Sequence, residues 1–159
     1  MMTQQQETRR QNLEQARGGQ AWKNIKAIKK KEQKLQQEYR SRARGLNTMI
    51  QINGLGQTLG FLKAKGKNDP NKADFLLLSH LTDWIREPNH FSATNMAVMN
   101  DGTDGLLKWV VDPATSSADY RRATVECLAF GIWLSRFAEA ELEEPEKESK
   151  KEEPKSGEK

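Results

Sequence analysis

The chain has 159 residues and a mass of 18.1 kDa, which is enough for one ordinary domain with its own core. Only 35% of the residues are hydrophobic and 30% are charged, so part of the chain is expected to lie outside that core. No apolar run approaches the roughly 18 to 20 residues that span a bilayer, and the Gln-rich start lacks the apolar segment of a signal peptide. These features predict a cytoplasmic protein that does not enter a membrane. The single cysteine, Cys127, excludes an internal disulfide and a cysteine-based metal site.

Positive charge is concentrated in the first half of the sequence. Residues 1–70 carry 15 Lys and Arg against 5 Asp and Glu, whereas residues 71–142 carry 6 against 10 and residues 143–159 carry 5 against 7. Such a basic half of a sequence either binds a polyanion or forms a helix face that is simply exposed to water. The placement of the charges must decide between the two.

The first predicted helix covers residues 20–45. Its apolar residues recur every three or four positions, at Trp22, Ile25, Ile28, Leu35, Tyr39 and Ala43, and Glu32 interrupts the stripe once. Gly18 and Gly19 precede this helix, and each costs about 1 kcal/mol inside a helix. We therefore predict a break there, with residues 1–19 as a flexible N-terminal arm.

A second helix is predicted from Leu46 to Lys65. It is rich in apolar residues but contains Gly54, Gly56 and Gly60, which are poor helix formers. Glycines inside a helix often mark a place where another backbone passes closely. We expect close helix packing at these three positions rather than a phosphate-binding loop, because neither the preceding strand nor the following Gly-Lys-Ser/Thr of such a loop is present.

The remaining elements are also helical. Asp69 and Pro70 are typical of a helix start, and the helix that follows closes at Glu87 and Pro88. Residues 89–104 are predicted to be mostly loop with a helical turn, and residues 106–111 a short helix. The last helix, capped by Ser116 or Ser117, is apolar over a broad arc and is expected to lie centrally.

These elements predict an all-α fold, a compact bundle of about five to seven helices. Residues 20–142 are expected to form a single helical domain. Residues 143–159 contain no aromatic or aliphatic side chain that could repay their ordering, so they are predicted to be a disordered charged tail.

Few residues suggest catalysis or metal binding. His80 has Asp83 three residues later, but an oriented surface histidine is favoured over a metal ligand. Cys127 lies on the apolar face of the last helix and is expected to be a buried, unactivated thiol. A nuclease that uses Asp83, Asp101 or Asp104 with a metal would need converging carboxylates, which the sequence does not display. We predict no metal, no cofactor and no enzymatic activity.

The basic face of the first helix is the feature most suggestive of function. At roughly 100° per residue, four lysines form a stripe opposite the apolar arc, with Arg44 roughly following, and acids are mostly missing from it. Such a stripe favours contact with phosphates rather than base edges, although a solvated face stays possible. The candidate RNA-binding residues are Lys23, Lys26, Lys30, Lys34 and Arg44, followed by Arg42, Lys63, Lys65 and Lys67.

Two blocks of sequence resemble a known family. The first, YRSRARGLNTMIQINGLGQTLGFLKAK from Tyr39, contains Met-Ile-x-x-Asn-Gly-Leu-Gly, and the second, YRRATVECLAFGIWLSRFAEAEL from Tyr120, contains Trp-Leu-x-Arg-Phe-Ala. In their order and spacing they resemble the small subunit of the type III-B CRISPR effector, the fifth protein of the Cmr complex. Together they cover about a third of the chain.

The resemblance implies a compact all-α protein that stacks copies of itself along a filament, beside the backbone subunits that hold the guide RNA, and that is not the nuclease. The expected partners are guide and target RNA, other Cmr subunits and further copies of the chain. The basic residues named above come from helix geometry and not from the family. One alternative stays open: a protein-interaction module whose basic face docks on an acidic protein partner.

Overall fold

The computed structural model of the protein describes residues 3–88 and 90–145. Within this part the chain folds into seven α-helices and forms no strand, so the predicted all-α bundle is confirmed there. The helices are α1 (Gln4–Lys29), α2 (Gln33–Asn53), α3 (Leu55–Gly66), α4 (Ala73–Ile85), α5 (Met96–Met99), α6 (Gly105–Val110) and α7 (Ser117–Glu141). None of the described helices is both long and apolar enough to cross a membrane.

Helix α7 lies at the centre of the bundle, as its broad apolar arc predicted. It packs against α1, α2 and α4. Its buried face is formed by Ala123, Cys127, Phe130, Leu134 and Ala138. Trp84 of α4 stacks on Phe130 with ring centroids 4.9 Å apart, so α4 and α7 share one aromatic core.

The break predicted at Gly18 and Gly19 is wrong, because α1 continues through both glycines. Gly18 is buried, and a Cβ added there would lie 3.4 Å from the ring of Trp133 on α7. The side chain of Arg17 also reaches α7, where it pairs with Glu126. Packing against α7 thus overrides the low helix propensity of glycine, and residues 4–19 belong to the first helix rather than to a separate arm.

The single helix predicted over residues 20–45 is wrong as well, since it is divided between α1 and α2. The side-chain amide of Gln36 donates to the carbonyls of Lys29 and Lys31 at 3.0 and 2.9 Å, so it satisfies carbonyl groups at the end of α1. Glu32, which interrupts the apolar stripe in the sequence, is the N-cap residue of α2. The interruption therefore marked a helix boundary.

The predicted helix from Leu46 to Lys65 is also two helices, which meet at Gly54. This residue has φ +83°, a left-handed conformation that favours glycine. Gly56 does lie at a close contact, since its N–H donates to the Tyr120 hydroxyl at 2.9 Å and an added Cβ would lie 3.2 Å from Val110. Gly60 faces open space, so the close packing predicted for it is wrong.

The helix start predicted at Asp69 and Pro70 lies too early. Helix α4 begins at Ala73, with Lys72 as its N-cap residue. The Asp69 carboxylate instead accepts a hydrogen bond from the backbone N–H of Asn71 at 2.9 Å. This local bond stabilises a turn, which is the common alternative use of an aspartate that precedes a helix.

The predicted tail of residues 143–159 lies outside the described residues except for its first three. Helix α7 ends at Glu141, and its C-cap residue Leu142 is buried and has an extended backbone, so the chain leaves the helix axis there. The N–H of Glu143 donates to the side-chain oxygen of Gln36 at 3.4 Å. The end of the described chain therefore contacts α2.

Candidate nucleic-acid interface

The residues that might have carried catalysis have structural partners instead. The oriented surface histidine predicted at residue 80 is partly buried, and its Nδ1 lies 2.8 Å from the hydroxyl of the fully buried Tyr39. Burial lowers the pKa of His80 to about 4 and raises the pKa of Tyr39, so both groups are neutral near pH 7 and share one hydrogen bond. Asp83, the partner weighed for His80, pairs with Arg86.

The other carboxylates are held by lysines. Asp104 lies 2.9 Å from Lys63 and 3.3 Å from Lys108, and Asp101 lies 3.1 Å from Lys108. Burial acts to raise the pKa of Asp104, but the hydrogen bonds and charges of the two lysines outweigh it and lower that pKa. In the part of the chain that the structure describes, no three side chains of the metal-binding types converge.

Cys127 is buried on α7, and burial raises the pKa of its thiol. A thiol in such surroundings is protonated at neutral pH and is therefore a poor nucleophile. The interpretation of Cys127 as a buried, unactivated thiol is confirmed.

The lysine stripe predicted along one helix is divided by the junction between α1 and α2. Lys23 and Lys26 lie on α1, Lys30 is its C-cap residue, and Lys34 lies in the first turn of α2. Lys23 lines a depression with Asp83 and Glu87. The four residues therefore do not form one continuous row.

Several of the predicted cations are engaged with carboxylates. Lys26 lies 3.0 Å from Glu141, which also holds Lys29 at 2.8 Å. These two lysines lower the pKa of Glu141. Further pairs join Arg42 to Asp74 at 2.5 Å, Arg44 to Glu139 at 3.9 Å and Lys63 to Asp104 at 2.9 Å.

Most of the remaining cations line one groove, which runs from the α1–α2 junction to the turn between α3 and α4. It consists of two adjoining depressions that share Lys34, Glu38 and Lys72, the larger of about 670 Å³. We call this the basic groove. Its cations are Lys30, Lys31, Lys34, Arg42, Lys65, Lys67 and Lys72, and its acids are Glu32, Glu38, Asp69 and Asp74.

The basic groove depends on local structure at two chain reversals. At the first, Gln36 caps the end of α1, so Lys30 and Lys31 lie in the junction before α2. At the second, α3 ends with Lys67 and Asn68 in the left-handed conformation, with φ of 49° and 53°. These reversals bring lysines from distant parts of the sequence to one surface.

Sequence reasoning named five of the seven cations of the basic groove and missed Lys31 and Lys72. Lys31 falls beside the lysine stripe when residues 20–45 are drawn as one continuous helix, whereas in the structure it lies in the junction between α1 and α2 and lines the groove. Lys72 precedes α4 and is brought close to α2 by tertiary packing. Glu32, which interrupts the apolar stripe, was the sequence feature that could have indicated the position of Lys31. No sequence feature indicated that Lys72 lines the groove.

A comparison with known protein families identifies the family of the chain. Residues 13–141 match the model of the family described as CRISPR-associated protein (Cas_Cmr5). The chain belongs to the Cmr5 family. Members of the Cmr5 family are small subunits of the type III-B CRISPR complex, so the chain is a component of a Cmr complex. The match begins at Leu13, within α1, which agrees with residues before Gly18 being part of the folded helix.

Proposed function

We propose that the chain is a non-catalytic subunit of an RNA-guided, RNA-targeting Cmr effector and that its basic groove contacts the backbone of guide or target RNA. The observation that carries the proposal is the set of lysines left unpaired in this groove. Within residues 3–88 and 90–145, no carboxylate forms an ion pair with Lys30, Lys31, Lys34, Lys65, Lys67 or Lys72. Unpaired lysines are available to replace the counterions of a phosphate backbone.

The chemistry of the groove suits phosphates better than bases. Its cations are mostly lysines, which act as flexible point charges without the planar fork that reads guanine edges. The proposal therefore concerns affinity and placement of RNA, with its sequence read by the guide.

Family membership supports the other parts of the proposal. Stacking of copies along a filament, contact with the backbone subunit and a cytoplasmic location are expected of a Cmr5 subunit. Each copy would add the lysines of its own groove to the same RNA. Weak contacts made by single subunits would then add through effective concentration.

Charge reversal tests the groove directly. The test protein carries Lys34→Glu, Lys67→Glu and Lys72→Glu, which lie on α2 and in the turn before α4. The matched control carries Arg10→Glu, Arg121→Glu and Arg136→Glu, an equal charge change at exposed cations outside the groove. Binding of a single-stranded RNA is measured by fluorescence anisotropy over a range of salt concentrations, with helix content checked by circular dichroism.

Loss of binding in the groove variant, with a smaller loss in the control, is the expected result. Three fewer phosphate contacts should also reduce the salt slope of log K by about 2. Equal losses in both variants would show that binding follows net charge alone. Unchanged binding in the groove variant would refute the proposal.

A second candidate is docking of the basic groove on an acidic protein partner. The carboxylates Glu38, Asp69 and Asp74 in the groove favour it, because mixed charges suit a protein surface better than a uniform polyanion. The two candidates differ in what purifies with the tagged chain from its own cells at gentle salt. Short RNAs that share a repeat-derived 5′ end support the RNA contact, whereas partner proteins without RNA support protein docking.

A further inference from the structure

The chain segment that follows α7 enters the basic groove. We propose that residues 143–145 form an intramolecular strap that competes with a polyanion for this groove. The inference rests on the proposed function insofar as the competing polyanion is RNA. The position of the strap can be tested separately.

The strap begins at an anchored residue. Leu142 is 5% exposed, and its N–H donates to the carbonyl of Ala138 at 3.0 Å, which completes the last turn of α7. Its backbone is extended, with φ −95° and ψ 157°. The chain therefore turns away from α7 at a fixed point rather than continuing the helix into solvent.

Successive residues of the strap then contact α2. The N–H of Glu143 donates to the oxygen of Gln36 at 3.4 Å, and a carboxylate oxygen of Glu144 lies 3.6 Å from the guanidinium of Arg40. Gln36 is the same residue that caps the end of α1, so the strap is tied to the junction that places Lys30 and Lys31.

Pro145 lines the larger part of the basic groove. It does so together with Lys34, Lys65, Lys67 and Lys72. The two carboxylates that precede Pro145 thus lie beside a surface of opposite charge. A phosphate backbone that occupies the same surface would have to displace the strap, because Pro145 and the phosphates are excluded from the same space.

The expected strength of the competition is small. The carboxylate of Glu144 is 76% exposed, and ion pairs of such exposure contribute little in water. Loss of the strap contacts should therefore strengthen RNA binding by about threefold rather than by orders of magnitude. A polyanion that is already held by several subunits binds strongly enough to displace such a strap. A polyanion that contacts a single subunit weakly displaces it less readily.

Two full-length variants of equal charge test the strap. The strap variant carries Glu143→Ser, Glu144→Ser and Pro145→Gly, and the control variant carries Glu152→Ser and Glu153→Ser, which remove the same charge further along the chain. The first readout is the rate at which an acetylating reagent modifies Lys34 and Lys67, measured by mass spectrometry with Lys23 as the internal standard. The second readout is the affinity for a single-stranded homopolymeric RNA.

The proposal predicts faster acetylation of Lys34 and Lys67 in the strap variant and about threefold tighter RNA binding than in the control variant. Unchanged acetylation would overturn the strap. Faster acetylation with unchanged RNA affinity would overturn the competition. If no protein, wild type included, binds RNA, the proposed function fails, while the acetylation rates still decide whether the strap covers the groove.

Discussion

Arg17 of α1 and Glu126 of α7 form a two-point ion pair, with Nε to Oε1 at 2.8 Å and a terminal nitrogen to Oε2 at 2.7 Å. Trp84 of α4 donates its indole N–H to the same carboxylate at 2.8 Å. Burial acts to raise the pKa of Glu126, but the hydrogen bonds from Arg17 and Trp84 outweigh it and lower that pKa. One carboxylate thus joins three helices, and it fixes the part of α1 that leads to Lys30 in the basic groove.

The first prediction concerns this carboxylate. We expect Glu126→Gln to lower the free energy of unfolding by about 1.5–3 kcal/mol, because it removes the charged partner of Arg17 on α7 and leaves Arg17 only the exposed Glu14 of its own helix. Urea denaturation at pH 7 measures the change. Asp101→Asn is the control, since Asp101 is exposed and its pair with Lys108 should contribute less than about 1 kcal/mol. Equal effects of the two substitutions would contradict the role given to Glu126.

The second prediction compares two helical glycines. A Cβ on Gly131 of α7 would lie 2.2 Å from Oδ1 of Asn47, whose amide donates to the carbonyl of Leu128 at 2.9 Å. Gly131→Ala must therefore displace Asn47, and we expect a loss of about 1–3 kcal/mol in the free energy of unfolding. Gly60→Ala meets open space and should stabilise α3 by about 0.5–1 kcal/mol. Thermal unfolding of both variants checks the opposite signs, and two shifts of the same sign would count against this packing.

The helical period in the sequence predicted much of the core, although Trp22 of the apolar stripe is 39% exposed. Ile25, Tyr39 and Phe130 are fully buried, and the helices that carry them follow from apolar residues three and four positions apart. Helix boundaries were less predictable. The break before Gln33 is held by the local hydrogen bonds of Gln36, whereas the break at Gly54 and the continuity through Gly18 involve contacts with Tyr120 and Trp133, which are distant in sequence.

The sequence was enough to predict that lysines form the candidate interface, but it predicted only part of their arrangement in space. A stripe of lysines can be drawn from the sequence, but the partner of Lys26 is Glu141, more than 100 residues away. Which lysines are already paired, and which share a groove with Lys72, depends on how α2, α3 and α4 pack. The spacing of residues along the sequence shows neither which lysines are paired nor which of them share the groove.

The third prediction concerns pH and His80. Its pKa is about 4 in the folded protein and 6.5 for an ordinary histidine, so the unfolded chain gains a proton first as the pH falls. The contribution of neutral His80 to the free energy of unfolding is therefore complete above pH 6.5. It is lost as the pH falls towards 4, and the total loss is up to about 3 kcal/mol.

Urea denaturation at pH 7 and pH 4.5 measures this loss in the wild type and in His80→Asn. The variant should be less stable at pH 7, because the hydroxyl of Tyr39 loses its imidazole partner. Its stability should also depend less on pH over this interval than that of the wild type. The same pH dependence in both proteins would show that other groups cause it.

The fourth prediction separates paired from unpaired cations among the residues that the sequence suggested. Lys26 and Lys63 already have carboxylate partners at 3.0 and 2.9 Å, whereas Lys34 and Lys67 line the basic groove and have none among the described residues. We expect Lys34→Gln with Lys67→Gln to reduce the salt slope of RNA binding by about 1.4, the value for two contacts with a single strand.

Lys26→Gln with Lys63→Gln removes the same charge and should change the slope less. A lysine held by Glu141 or Asp104 must give up that pair before it can replace a counterion of RNA, so it releases fewer ions on binding. Fluorescence anisotropy at several salt concentrations gives both slopes. A larger effect of the Lys26 and Lys63 pair would mean that RNA lies along α1 and the outer end of α3, and it would move the interface away from the basic groove.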